Sequence, residues 1–179
     1  MKKITLIAAV LLALSFKAQS PAATINDAER KFAADLLLQT EAGVINSVAG
    51  LSDAQLNFKP APDKWSVAEC IKHIAITETS LWQMTNGVIQ AAPNPEKRNE
   101  VKATDQEVVQ MIESREKKVK TFSAMEPQNT PYKSMEEAMK SFISDRSKLI
   151  QYVKSTDADL RNHVNTLPFA SFAFLADAL

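Results

Sequence analysis

Apolar side chains recur at steps of three and four residues through most of the chain, which is the spacing of amphipathic α-helices. The steps are clearest in four segments, and these are predicted to be helices at residues 25–49, 66–90, 104–124 and 134–155. No segment alternates between apolar and polar residues for long enough to predict a strand. The pattern therefore predicts an all-α fold.

Residues that favour helix starts stand at the beginning of three of these segments. Thr24 or Asn26 is suited to cap the first segment. Ser66 and Ser134 precede the second and the last, and each is followed three residues later by a glutamate, the signature of a capping box. These caps place the predicted helix starts to within a few residues.

Long helices with one apolar stripe pack as antiparallel bundles. We therefore predict a four-helix bundle (one domain over residues 21–179), in which residues 104–124 form an extra, shorter and more charged helix. After a connector, residues 169–179 have the pattern of the start of another helix, which would be an incomplete last helix. Such a short helix would leave apolar surface uncovered, and an uncovered face favours a homodimer.

The first twenty residues have the pattern of a secretory signal peptide. Lys2 and Lys3 precede an apolar run from Ile4 to Phe16, and small residues follow. A membrane-spanning helix needs about 20 apolar residues, which is longer than this run. We therefore expect residues 1–20 to be cleaved on export to the periplasm or the medium, and we expect no stable membrane anchor.

Composition and charge exclude several classes of function. The 21 basic and 21 acidic residues balance, so no excess of positive charge points to nucleic acid as a partner. Cys70 is the one cysteine and there are two histidines, which excludes an internal disulfide and a closed zinc site. Cys70 itself fits either a reactive thiol near a helix start or a small buried side chain.

Both histidines are candidate metal ligands. His73 lies on the shoulder of the apolar face of the second predicted helix, where it could ligate a metal in a cleft or hydrogen-bond locally. His163 stands in the connector before residue 169, far from His73 in sequence, and is predicted to be a solvated loop histidine.

Two charged residues are predicted to face each other. Glu78 projects from the centre of the apolar face of its helix, and Arg146 does the same in the last long helix. Burying an unpaired charge costs on the order of several kcal/mol in lost hydration, so two opposite charges on facing apolar surfaces are expected to pair. The pair could form the polar floor of a binding cleft or a structural salt bridge.

The segment from Leu56 to Ile74, with support from residues 141–150 and 159–163, resembles the DinB-like family of helical bundles over about residues 25–170. The resemblance implies a divalent metal, zinc or nickel, held by three histidines, of which His73 matches the one on the second helix. The other two belong to a His-x-x-x-His-like arrangement on the last helix, which this chain lacks, while His163 matches a position before that helix. The expected metal site is therefore incomplete, and no cofactor is expected in this chain.

Three hypotheses for function follow from this resemblance. Relatives that are enzymes include thiol S-transferases and metal-dependent hydrolases, which would make His73 one of three ligands to a catalytic ion. The second hypothesis is an exported binding domain that keeps the bundle without the metal site, with an unspecified small-molecule ligand. The third is a shortened product of a family gene.

Overall fold

The computed structural model describes residues 24–114, 116, 120–167 and 174–176. The α-helices are α1 (Asp27–Val48), α2 (Asp53–Asn57), α3 (Val67–Ile89), α4 (Asp105–Glu113) and α5 (Met135–Ser155). Three short 3-10 turns lie at Pro95–Glu100, Ser123–Met125 and Pro127–Asn129. Two strands, β1 (Asn165–Leu167) and β2 (Phe174–Ala176), form an antiparallel pair.

The all-α prediction is confirmed, and three of the four long helices lie within two or three residues of their predicted bounds. Helix α5 packs against both α3 and α1, so it is the middle element of the bundle. The short helix α2, which the apolar pattern did not predict, packs beside α3. None of the helices over the described residues is long and apolar enough to span a membrane.

The helix starts follow the predicted capping residues. Asn26, not Thr24, caps α1, and Ser66 forms a complete capping box in which the Glu69 carboxylate accepts a hydrogen bond from the Ser66 N–H at 2.8 Å. At α5 the Ser134 hydroxyl accepts from the Glu137 N–H. The Glu137 carboxylate instead accepts from Lys133, one residue earlier, so this capping box is only half formed.

The core consists of two apolar clusters that follow one another along α5. The first contains Ile71 and Ala75 of α3 with Ala138 and Phe142 of α5. Ala75 and Ala138 are completely buried, and their small side chains allow α3 and α5 to approach closely. The second cluster joins α1, α5 and the following connector through Ile25, Ala34, Val153 and Leu160. Between the two clusters lies a polar layer, described below.

The prediction of a helix over residues 104–124 is wrong at residues 114, 116 and 120–124. Thr104 caps α4 as a helix start should, but α4 ends at Glu113, and Ser114 is extended. Ile112 is 76% exposed and Met111 43% exposed, and α4 has no buried residue. Most of the stability of a helix in a protein comes from packing its apolar face against other elements. Because α4 has no buried residue, packing does not stabilise a longer helix here.

The prediction of a helix over residues 169–179 is wrong at residues 174–176. These residues form β2, in which Ala176 pairs with Asn165 and Phe174 with Leu167. A short isolated helix is only marginally stable. Pairing with β1 instead gives the backbone N–H and C=O groups of β2 hydrogen-bond partners on a neighbouring strand. The remainder of that predicted helix, and the predicted signal peptide at residues 1–20, lie outside the described residues, and the homodimer stays a prediction.

Candidate functional site

His73 is half-buried on α3, and its ring is held by a backbone carbonyl. Its Nδ1 lies 2.9 Å from the carbonyl oxygen of Met125, and the Thr77 hydroxyl lies 3.5 Å from the same nitrogen. A carbonyl oxygen can only accept, so this geometry assigns the ring proton to Nδ1. In the neutral ring Nε2 then carries a lone pair, and no described residue hydrogen-bonds to it.

Local sequence explains why these groups meet. Thr77 follows His73 by four residues and therefore lies on the same face of α3. Met125 ends the 3-10 turn Ser123–Met125, which packs on α3. Trp65 directly precedes the Ser66 cap, is 37% exposed, and has its ring centroid 5.0 Å from that of His73. The result is an imidazole with one free acceptor beside a partly exposed aromatic surface.

The donor atoms around His73 do not fit the three-histidine site that the resemblance implies. Its contacts are a carbonyl, a hydroxyl and an indole ring, and a zinc site in an enzyme normally has three histidine, cysteine or carboxylate ligands. In the part of the chain that the structure describes, no three such side chains come together in a group that could hold a metal ion. His73 therefore supplies a single imidazole.

Glu78 and Arg146 are brought together in a bidentate ion pair. Arg146 Nε lies 2.7 Å from Glu78 Oε1, and Arg146 Nη2 lies 2.7 Å from Glu78 Oε2. The two side chains are only 11% and 12% exposed. The third guanidinium nitrogen donates to the Thr40 hydroxyl of α1 at 2.7 Å, and the guanidinium also lies over the Phe142 ring. We call Glu78, Arg146 and Thr40 the polar layer.

The polar layer and His73 lie on different faces of α3. Five residues separate His73 from Glu78, which corresponds to a rotation of about 140° around the helix. His73 faces the turn that ends at Met125, whereas Glu78 faces Arg146 of α5. The ion pair therefore does not form the floor of a cleft that contains His73, and its position between two apolar clusters is that of a structural salt bridge.

Cys70 is half-buried, and burial raises the pKa of its thiol, an effect that the neighbouring Glu69 carboxylate increases. Glu69 itself closes the capping box with Ser66 and pairs with Lys59 at 2.9 Å. It therefore does not orient His73. A thiol with a raised pKa is mostly protonated at neutral pH, which is the opposite of what a reactive cysteine needs.

The prediction that His163 is a solvated loop residue is wrong. His163 is 6% exposed, and both of its ring nitrogens face carbonyl oxygens, Nδ1 at 2.5 Å from Asp159 and Nε2 at 3.1 Å from Ala91. Sequence reasoning missed Asn94 altogether, although its side-chain amide exchanges two hydrogen bonds with the backbone of Val164. Periodicity carries no signal for contacts between residues so far apart in the chain.

Two shallow cavities lie away from His73. One, of about 410 Å³, lies where α2 meets the starts of α3 and α5, and its charged lining residues are Lys59, Lys72, Lys133, Asp53, Glu69 and Glu136. The other, of about 380 Å³, lies between the end of α3 and residues 163–165. The first is balanced in charge, and His73 is part of the lining of neither.

Comparison with known proteins gives one family and one relative. A family model described as the DinB superfamily matches residues 36–176, most of the chain. "Uncharacterized protein YuaE" of Bacillus subtilis (strain 168) is 28% identical over 82 residues, which are 46% of this chain and 46% of that protein. The match thus spans less than half of the relative's length. No solved structure matches the chain.

Proposed function

The chain belongs to the DinB superfamily, and from this premise we propose that it is an exported binding domain that keeps the helical bundle without performing catalysis. Its binding site would be formed by the partly exposed Trp65 ring and the half-buried His73 ring beside it. The ligand class that fits is a small planar molecule with one hydrogen-bond donor.

The contacts of His73 support this proposal. A partly exposed indole offers a flat apolar surface, and aromatic surfaces of this kind bind rings well. Beside it, His73 Nε2 offers one acceptor whose direction is set by the Met125 carbonyl on the other ring nitrogen. A few directed polar groups within an apolar surface are the usual composition of a small-molecule site.

The alternative is a divalent-metal-dependent hydrolase or transferase with His73 as one of three histidine ligands. One observation favours it: a ligating histidine usually donates its second N–H to a carbonyl or carboxylate, and His73 does this toward Met125. The chain has two histidines, and the second, His163, lies against the Asp159 and Ala91 carbonyls, so the other histidine ligands would have to come from outside this sequence. When bound, such an ion would activate water as a nucleophile.

Equilibrium dialysis of the purified chain against zinc and against nickel separates the two candidates. For a binding domain we expect less than stoichiometric uptake of either ion, with no difference between wild type and His73→Ala. Uptake of one equivalent that is lost in His73→Ala, and kept in the matched variant Gln83→Ala at an exposed position of α3, would overturn the proposal.

A second experiment tests the binding site directly. Phenol and toluene differ by one hydroxyl donor, so phenol should shift the Trp65 and His73 NMR signals at lower concentration than toluene does. His73→Phe keeps an aromatic ring but removes the acceptor, and it should abolish the preference for phenol. Equal binding of phenol by wild type and this variant would contradict the role of Nε2.

Export is proposed from residues 1–20 alone, whose charged start and apolar run support it. We expect protein from the native host to be found outside the cytoplasm with an N-terminus near residue 20. An intact Met1 on protein free of the membrane would overturn this part of the proposal.

A further inference from the structure

The cavity of about 380 Å³ lies between the end of α3 and residues 163–165, and the wall on the side of these residues is held by hydrogen bonds. The Asn94 side chain donates to the Val164 carbonyl at 2.8 Å and accepts from the Val164 N–H at 2.7 Å. Both ring nitrogens of His163 lie against backbone carbonyls. This wall is therefore preformed, and the side chains of Asn94 and His163 are already engaged within the protein.

The opposite wall comes from the last turns of α3 and the residues that follow it, and it is apolar. Met84, Val88, Ala91 and Ala92 line it together with Gly87. Glycine inside a helix is less stable than alanine. Neither a positive φ nor a close contact requires glycine at position 87, because a Cβ there would meet no neighbouring atom within 4 Å. The effect of Gly87 is thus to leave open space at the cavity.

Lys97 gives the cavity its charge. It is the only Lys, Arg, Asp or Glu residue among the described residues that line the cavity. Its ammonium group has no hydrogen bond or ion pair with any residue that the structure describes. The described lining therefore combines an apolar surface with one available cation and no carboxylate, and this combination is complementary to an anion that has an apolar body.

We propose that this cavity binds a small carboxylate with an apolar tail, such as a short fatty acid. The tail packs against the end of α3, and the carboxylate pairs with the exposed Lys97 at the rim. The volume lies near the lower end of the range for small-molecule sites, which favours a short tail. The site is separate from the one proposed at His73, because Gly87 lies about 21 Å further along α3 at 1.5 Å per residue.

NMR titration of the purified full chain with hexanoate and with acetate tests the proposal without a substitution. We expect hexanoate to shift the backbone amide signals of Gly87, Ala91 and Val164 and to saturate at roughly millimolar concentration, as for a ligand of few atoms. Acetate carries the charge without the tail and should leave these signals unchanged at the same concentration. Hexanoate that shifts none of these signals, or only those of Trp65 and His73, would overturn the proposal.

Gly87→Leu fills the cavity, and Gly43→Leu is its matched control. Both substitutions replace a helical glycine at which a Cβ would meet no neighbouring atom within 4 Å, but Gly43 lies on α1 and lines neither cavity. Gly87→Leu should abolish saturable binding of hexanoate, and Gly43→Leu should keep the wild-type affinity. Equal affinities in the two folded variants would overturn the proposal, and if Gly87→Leu does not fold, the wild-type titration decides it.

Lys97→Met removes the charge and keeps an unbranched apolar side chain. Because Lys97 is exposed, its pairing with a carboxylate is an exposed ion pair, and its loss should lower the affinity for hexanoate about two- to fivefold. The affinity for 1-hexanol, which has the tail without the charge, should not fall. Lys140→Met, at an exposed position of α5 outside both cavities, should change neither affinity. An unchanged affinity for hexanoate in Lys97→Met would overturn the proposal.

Discussion

Arg146→Met tests the energetic role of the polar layer. The substitution replaces the arginine with an unbranched apolar side chain of similar length, so the change in packing is small. It leaves the Glu78 carboxylate buried at 12% exposure without its partner. Hydrogen bonds to charged groups contribute about 1.5–3 kcal/mol each, and two join the guanidinium to Glu78. We therefore expect the free energy of unfolding to fall by about 3–5 kcal/mol, the range for breaking a buried ion pair.

The double variant Glu78→Leu/Arg146→Met removes both charges together. Replacing a whole buried ion pair by apolar residues is often neutral or stabilising, so its stability should lie within about 1 kcal/mol of wild type. Thr40 does not become unsatisfied, because its hydroxyl also donates to the Leu36 carbonyl at 2.9 Å. The coupling energy between the two sites should therefore be large and favourable.

Urea unfolding at neutral pH measures these differences. Trp82 is a suitable probe, because its ring packs edge-on against Tyr152 of α5, with 5.0 Å between the ring centroids. Lys31→Met is the matched control, since Lys31 pairs with Asp35 on the exposed surface of α1 and such pairs contribute about 0–1 kcal/mol. An Arg146→Met variant within about 1 kcal/mol of wild type, or a double variant whose loss of stability equals the sum of the losses in Glu78→Leu and in Arg146→Met, would refute the reasoning.

Three further predictions follow from single residues. Ser66→Ala removes the cap of α3 and should lower the free energy of unfolding by about 1 kcal/mol in urea. The Arg161 guanidinium lowers the pKa of the Asp105 carboxyl, so this carboxylate stabilises the fold above about pH 4 and the contribution is lost as pH falls through the lowered pKa. Thermal melts between about pH 5 and pH 3 should therefore show a shallower loss of stability for Asp105→Asn than for wild type. Because burial raises the pKa of the Cys70 thiol, iodoacetamide at neutral pH should label folded Cys70 more slowly than the unfolded chain by mass spectrometry; equal rates would contradict this.

Local signals predicted those parts of the fold that local interactions decide. The start of α3 rests on Ser66 and Glu69, three residues apart, and the sequence alone places it correctly. The length of α4 rests instead on whether Met111 and Ile112 find a surface to pack against, and they do not. The strand pair at residues 165–167 and 174–176 likewise depends on pairing between separate segments, which no helical or strand period reports.

The candidate site shows the same division. The pairing of Glu78 with Arg146 could be predicted because a charge at the centre of an apolar face requires an opposite charge nearby. Thr40 and Met125, which complete the surroundings of Arg146 and His73, carry no such requirement in sequence. The prediction for His163 is wrong because a loop position suggests solvent, whereas two carbonyl groups from separate segments lie against its ring.

The orientation of His73 depends on the backbone of the turn at Ser123–Met125 rather than on a side chain. Its Nδ1 partner is the Met125 carbonyl, which remains in any substitution at that position that leaves the turn intact. The Met125 side chain adds only a weak contact, in which the Thr77 hydroxyl lies 3.9 Å from the sulfur. The polar layer lies on another face of α3. A substitution there can therefore lower the free energy of unfolding without changing the orientation of the His73 ring in the folded chain. Binding of a ligand at Trp65 and His73 should therefore depend directly on the turn at Ser123–Met125. Loss of the ion pair should affect binding only by increasing the unfolded fraction of the chain.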